Sequence, residues 1–337
     1  MNPFDNSIPS VFSIDTPFQA LCAIAVIKQL HINDYIILAY FPRDEIRNTQ
    51  LRAVLEQYGV AYKVSKPFSR ISFLFAKWSA LRNHHTHYKR LFIGDFRDMM
   101  LYYSSLRYVS DETQVVYLDD GNITISLLND IINEPLNEDF QVFLKKLESK
   151  RSILTNKNIL TIYDHIENPK YNIENLDLSL IMPQQYNSQE CEGIYIVGTN
   201  LDRYCEALDI PVEVYIEKLD ILTANIKNTY PEDKVVFVPH GKDTSRYAVD
   251  ICSRHGVAFE PSEMTIELKL LNLQKPPKAV YGFTSSALYN IKKMTPKTRV
   301  VNILYEGNKN NPFYQEYLMC SEYYLQNGIE LVKESLS

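Results

Sequence analysis

The sequence predicts an α/β chain built as two doubly wound halves, and three observations carry that expectation. Short apolar, β-branched runs alternate with helical patterns along most of the chain, the mark of parallel sheets covered by helices. The alternation blurs between Asn133 and Ser188, a stretch rich in Asn, Lys and Glu, and then starts again. A length of 337 residues is long for one domain and comfortable for two. The boundary is expected at Met182-Pro-Gln-Gln185, which gives halves 1–185 and 186–337.

In the first half, Val11–Asp15, Tyr35–Phe41, Val60–Val64, Leu91–Gly94 and Val115–Leu118 read as strands. The helices read as Pro17–Leu30, with proline in its first turn, and Asp44–Tyr58, closed by Gly59. Ile71–His84, Phe96–Tyr108 and Ile123–Ile132 follow as helices. The second half offers strands Gly193–Gly198, Lys234–Pro239, Val257–Phe259, Lys278–Phe283 and Arg299–Leu304. Helices near Pro211–Thr229, Ser245–His255, Met264–Leu273 and Ser286–Met294 lie between them. Phe313–Gln326 is a closing helix, the element expected to pack back on the first half.

Composition narrows the function. A 45% apolar share with 23% charge is that of a globular protein. The net charge of −6 argues against a nucleic-acid partner, which calls for a basic excess. Five cysteines, an odd number without a CxxC pair, read as buried thiols in a reducing compartment. Met1 to Pro9 has no basic region before an apolar core, and no run approaches the ~20 apolar residues of a membrane span. The expectation is a cytoplasmic protein, with peripheral contact to the inner membrane face as the alternative to free solution.

Three segments follow apolar strands and precede helices, the place where α/β sheets build their sites. The first is Tyr117-Leu-Asp-Asp-Gly-Asn122. Side chains alternate along a strand, so Asp119 and Asp120 point different ways. One carboxylate can face a cleft as a general base while the other caps the following helix. A cap with a solvated neighbour is the plain structural account. The second is Val238-Pro-His-Gly-Lys-Asp243, where His240 could bind or protonate a leaving phosphate, with Lys242 and Arg246 adding positive charge. A surface histidine at a strand end is the alternative. The third is Phe283-Thr-Ser-Ser286: Ser285 and Ser286 stand at a helix start, where backbone amides and hydroxyls suit an anion. Simple capping by serine is compatible with that role.

These segments in this order resemble the bacterial sialyltransferases, both the lipooligosaccharide enzymes of glycosyltransferase family 52 and the bacterial polysialyltransferases. The shared pattern is an acidic pair before Gly, then a His-Pro motif, then Ser-Ser. Here they are Asp119-Asp120-Gly121, His240 and Ser285-Ser286. Asp15-Thr-Pro-Phe-Gln19 is similar to the family's Thr-Pro-Leu-Gln entry, and Gly198-Thr199 falls where the family has a nucleotide-side loop. Glu260-Pro-Ser-Glu-Met-Thr-Ile-Glu267 resembles its acidic stretch. One departure is that Gly241 follows the histidine and Pro239 precedes it.

The resemblance implies a GT-B fold, two Rossmann-like domains facing a central cleft, which sugar-nucleotide 2-epimerases share. It implies inverting transfer of sialic acid or a related nonulosonic acid from a CMP-sugar to an oligosaccharide or lipid-linked glycan, in surface polysaccharide or lipooligosaccharide synthesis. No cofactor and no metal are expected. Asp119 or Asp120 would be the base, with Asp119 favoured. The donor side would comprise Gly198, Thr199, His240, Gly241, Ser285 and Ser286, with Glu267, or failing it Glu263, on the ribose. Thr16, Pro17 and Gln19 would lie on the acceptor side. The competing readings are a UDP-sugar transferase or sugar-nucleotide epimerase on the same architecture, and a non-catalytic glycan-binding protein.

Other features are not promoted to sites. His84, His85 and His87 sit among Lys77, Arg82, Lys89 and Arg90 and read as a basic helix end rather than a zinc site. That patch could instead touch an anionic acceptor or lipid headgroups.

Overall fold

The computed structural model describes residues 2–5, 8–41, 44–65, 87–110, 113–129, 158–182, 190–241, 246–261 and 264–335. The chain divides into two compact units, Met1–Ile181 and Met182–Ser337.

The sheet of the first unit has seven strands among the described residues. They are β1 (Ser10–Ile14), β2 (Tyr35–Tyr40), β3 (Tyr62–Ser65), β4 (Arg90–Ile93), β5 (Gln114–Tyr117), β6 (Asn158–Thr161) and β7 (Asn172–Asn175). All pairs are parallel, in the order β3-β2-β1-β4-β5-β6-β7. Strand β1 is buried along its whole length, so its SVFSI run has no polar face to show. Phe12 stacks on Phe92 of β4, with ring centroids 4.6 Å apart. Helix α1 (Pro17–Gln29) follows β1 and α2 (Glu45–Gln57) follows β2. Helices α3 (Met99–Ser105) and α4 (Ile123–Leu128) follow β4 and β5.

The second unit repeats the winding. Its strands are β8 (Ile194–Val197), β9 (Val235–Val238), β10 (Ala258–Phe259), β11 (Ala279–Gly282), β12 (Arg299–Tyr305) and β13 (Glu330–Glu334). They run parallel in the order β10-β9-β8-β11-β12-β13. The helices are α5 (Leu201–Leu208), α6 (Val212–Thr229), α7 (Tyr247–His255), α8 (Ile266–Asn272), α9 (Ser286–Met294) and α10 (Pro312–Gln326). Within this unit α10 packs on α5, β12 and β13. Tyr204, Tyr215, Phe283 and Tyr305 fill the core between sheet and helices.

In both sheets the strand order reverses direction once. The reversal falls between β1 and β4 in the first unit, and between β8 and β11 in the second. Loops leave the carboxyl ends of those neighbours in opposite directions, which opens a crevice for a ligand at that point.

Several elements differ from expectation. Strands β6 and β7 lie in the Asn-rich stretch where the alternation blurs, and they, β13 and α5 were not expected. Strand β7 (NIEN) and strand β13 (ELVKE) are mostly exposed edges, so neither carries an apolar run. The helix expected at Phe96–Tyr108 starts only at Met99, because Asp98 caps it by accepting from the Met100 amide at 2.6 Å. It ends in a 3₁₀ turn over Leu106–Tyr108. The helix expected at Ile71–His84 lies outside the described residues. No helix among the described residues is long and apolar enough to cross a membrane.

Candidate active site

At the carboxyl edge of the first sheet, the reversal brings the ends of β1 and β4 side by side, with β5 next in line. Registers Ser13↔Ile93 and Ile93↔Tyr117 set that alignment. The loops there carry Asp15, Gly94-Asp95 and Asp119-Asp120.

Asp119 and Asp120 do point different ways, as strand alternation requires, but neither caps α4. The N-cap is Asn122, which makes no side-chain cap bond. Asp119 is fully buried and accepts from the Thr161 hydroxyl at 2.6 Å and the Ile162 amide at 2.7 Å. The Thr124 side chain also bonds to it. Burial raises its pKa to about 6, against the pull of those donors. Its carboxylate ties β5 to the exit of β6 and is shut off from solvent.

Asp120 turns the other way, and its side chain keeps 19% of its surface exposed. Its Oδ1 accepts from Gln19 Nε2 at 3.0 Å, and its Oδ2 accepts from the Arg97 guanidinium. The same guanidinium binds Asp95 in a fork, Nε to Oδ1 at 3.0 Å and Nη2 to Oδ2 at 3.1 Å. One cation therefore serves two carboxylates. Burial first, then the neighbouring Asp95, raise the Asp120 pKa to about 7, while Arg97 and Gln19 oppose the shift. Such a carboxylate is poised to accept a proton near neutrality.

Gln19 is placed by its own helix start. Thr16 caps α1 by accepting from the Gln19 amide at 3.1 Å, and Gln19 Oε1 reaches back to the Asp15 amide at 2.9 Å. Pro17 fills the first helical position. Gly94 leaves the room for this: a Cβ there would lie 2.2 Å from Gln19 Oε1. Thr16, Pro17 and Gln19, expected on the acceptor side, thus build the mount of Asp120. Asp15 joins the acidic set, its pKa raised to about 6 by burial, with Arg47 pairing to it and Asp98 and Asp95 nearby.

Asp95, Arg97, Arg47 and Gly94 were missed in the sequence reading. Gly94-Asp95 ends an apolar strand just as Asp119-Asp120 does, and that punctuation was the available signal.

At the carboxyl edge of the second sheet, registers Val197↔Val238 and Gly282↔Val197 line up the exits of β9, β8 and β11. Gly198-Thr199, His240-Gly241 and Ser285-Ser286 therefore share one edge. Gly198 lets two of these exits touch, since a Cβ there would sit 3.0 Å from the His240 amide nitrogen. Thr199 is buried and its hydroxyl bonds to Tyr317. Ser285 is the N-cap of α9 and accepts from the Ala287 amide at 3.3 Å; Ser286 opens the helix. Among the described residues, a Cβ on Gly241 would meet nothing within 4 Å.

Glu267, on α8, is buried and accepts from Asn290 Nδ2 at 2.8 Å, a little over one turn into the helix that Ser285 caps. Glu263 and Lys242 lie outside the described residues, as do His84 and His85. His87 contacts Asp34 on the surface. Among the described residues, no group of three or more His, Cys, Asp or Glu side chains is arranged to hold a metal ion.

No family model and no curated protein sequence matches the chain. Solved structures do. A Listeria monocytogenes protein assigned as a UDP-N-acetylglucosamine 2-epimerase aligns with a TM-score of 0.52 at 10% identity, over 96% of this chain and 90% of that one. The UDP complex of MnaA from S. aureus aligns at 0.50 and 11% identity, over 96% and 91%. A 2,6-sialyltransferase of Photobacterium sp. JT-ISH-224, solved with CMP and lactose, aligns at 0.49 and 13% identity, over 96% and 78%. Sheet order and the first two of these alignments assign the chain the α/β GT-B fold.

Proposed function

We propose that the chain is an inverting glycosyltransferase that moves a nonulosonic acid of the sialic-acid class from a CMP-activated donor to a hydroxyl of a glycan acceptor. The observation that carries this reading is the mount of Asp120: a partly exposed carboxylate one strand from the strand-order reversal, held by Gln19 and Arg97, with a pKa raised to about 7. The ordered motifs Asp119-Asp120-Gly121, His240 and Ser285-Ser286 support the choice of donor.

In this reading Asp120, and not Asp119, is the base. It takes the proton of the acceptor hydroxyl as that oxygen attacks the anomeric carbon, a step worth roughly 10²–10⁴ in rate. Asp119 is a positioning residue that fixes the turn. The bond from the anomeric carbon to the phosphate oxygen breaks with its electron pair, and negative charge grows on the departing CMP. His240, Ser285, Ser286 and the amino end of α9 meet that charge. Glu267 takes a hydroxyl of the ribose. No step in this scheme is assigned to a metal.

Mass spectrometry of products from a panel of CMP-nonulosonates with galactoside acceptors tests the proposal. Transfer of one nonulosonate mass supports it, and absence of transfer and of donor hydrolysis across the panel refutes it. A UDP-sugar transferase or epimerase is the second reading, since one neighbour on this fold is assigned as a UDP-N-acetylglucosamine 2-epimerase and another was solved with UDP. Thermal stabilisation by UDP but not by CMP would favour it.

A further inference from the structure

Asp15 directly follows β1, at the strand-order reversal, and its side chain keeps only 6% of its surface exposed. One carboxylate oxygen is accounted for: Oδ2 accepts from the Arg47 guanidinium. Among the described residues the other, Oδ1, is buried without a hydrogen-bond partner. A buried carboxylate oxygen left unpaired is costly, and native structures leave few polar atoms in that state unless a ligand or water completes them. The other charged groups around it do not supply the bond. Asp98 and Asp95 stand nearby on the segment after β4, and both are acceptors. Arg97, the cation of that segment, is committed to Asp95 and Asp120. The missing partner must therefore bring a donor hydrogen.

The main chain fixes where that partner lies. The Asp15 amide donates to Gln19 Oε1 at 2.9 Å, and Gln19 Nε2 donates to Asp120 Oδ1 at 3.0 Å. The two aspartates are thus mounted on opposite ends of one side-chain amide, a separation on the scale of a single sugar ring. Arg47 Nε donates to the Asp15 carbonyl at 2.9 Å, which pins the residue independently of its carboxylate. In a doubly wound sheet the reversal is also the place where a ligand enters.

We propose that Asp15 is a second acceptor-binding residue, whose Oδ1 accepts a hydrogen bond from a hydroxyl of the acceptor sugar other than the one that attacks. The inference rests on the reading of Asp120 as the base of a glycosyl transfer. The bond to Asp15 turns the sugar so that its attacking oxygen lies against Asp120. It also rejects a sugar that lacks the second hydroxyl, because the buried oxygen then stays unpaired. In the absence of acceptor a water can fill the place, to be displaced by the hydroxyl.

The test uses the full chain, a CMP-nonulosonate donor, and lactose beside its analogues deoxygenated at one position at a time on the galactose ring. The analogue without the attacked hydroxyl gives no transfer. Among the others, one is expected to lose roughly 10- to 100-fold in kcat/KM with wild type, the worth of a hydrogen bond to a charged group. Asp15→Ala keeps both main-chain ties of residue 15. On lactose it should lose a similar factor, and the same analogue should then cost it less than about threefold. A purely structural role would lower the rate without erasing that discrimination. Losses that multiply, one for the variant and one for the analogue, overturn the inference. So does a wild type indifferent to every remaining hydroxyl, which would leave the oxygen to water alone. If Asp15→Ala does not fold, Asp15→Asn decides: it keeps the shape, gives up the charge, and should retain only about half of the discrimination on a logarithmic scale. Full discrimination by Asp15→Asn overturns the inference. Absence of transfer by wild type refutes the transferase reading and the role of Asp15 with it, whereas transfer without coupling refutes the role of Asp15 alone.

Discussion

Gln19 donates its side-chain amide to Asp120 at 3.0 Å, across 101 residues of sequence. The Gln19 side chain lies where it does because residue 94 is a glycine. A Cβ at Gly94 would meet Gln19 Oε1 at 2.2 Å, Cδ at 2.4 Å and Cγ at 2.8 Å. Gly94→Ala is therefore expected to displace Gln19 and loosen Asp120, lowering turnover by up to roughly 10²-fold, the scale of a misplaced reacting group. Gln19→Ala should match it, and the double variant should be no worse than either single one. Additive losses would show that the two residues act separately.

The two neighbouring aspartates should fail in opposite ways. Asp119→Asn places an amide group against donors from Thr161 and Ile162, which costs roughly 1–3 kcal/mol of stability. Asp120→Asn keeps an acceptor for Gln19 and leaves Arg97 its fork to Asp95, so it should fold well. Denaturant unfolding of both variants reads the difference; equal losses would contradict the separation of roles.

Stability should depend on pH in a defined direction. The folded-state pKa of Asp120 is raised to about 7, well above the ordinary aspartate value. Between those values the native state holds a proton that the unfolded chain releases, so this group's contribution is present at low pH and is lost as pH rises through 7. Asp119 and Asp15, both raised to about 6, act in the same direction at slightly lower pH. Asp120→Asn removes the largest of these contributions. Its melting temperature should exceed that of wild type at pH 8, by the equivalent of on the order of 2 kcal/mol, and the gap should close towards pH 5. A gap that widens on acidification would reverse the sign of the argument.

The rate should follow the same group. A base must be unprotonated, so kcat/KM should fall on the acid side of about pH 7. Asp95 is the second cause of the raised pKa, after burial. Asp95→Asn should move the acid limb down by roughly one pH unit. A limb that stays in place would assign it to another group.

The topology was legible in the sequence wherever strands are buried on both faces. Runs such as VFSI in β1 and VVFV in β9 carry no polar alternation and announce a parallel sheet. Edge strands β7 and β13 were not legible, because their largely exposed positions carry charged and amide side chains in place of an apolar run. For the site, the carboxyl-end loops were identifiable from apolar runs that stop at Asp, His or Ser. Which aspartate is buried was not, because that depends on β6, a strand 42 residues further along whose Thr161 hydroxyl reaches back to Asp119. The partnership of Asp95 and Arg97 with Asp120 is likewise a product of the strand order, which places β4 beside β5.

The most direct test of the account compares transfer from a CMP-nonulosonate to a galactoside by Asp120→Asn and by Asp119→Asn, at pH 8 and at a temperature where both are folded. Assignment of the base to Asp120 predicts a loss of roughly 10²–10⁴ in turnover for the first and a far smaller loss for the second. Wild-type turnover by folded Asp120→Asn would contradict it.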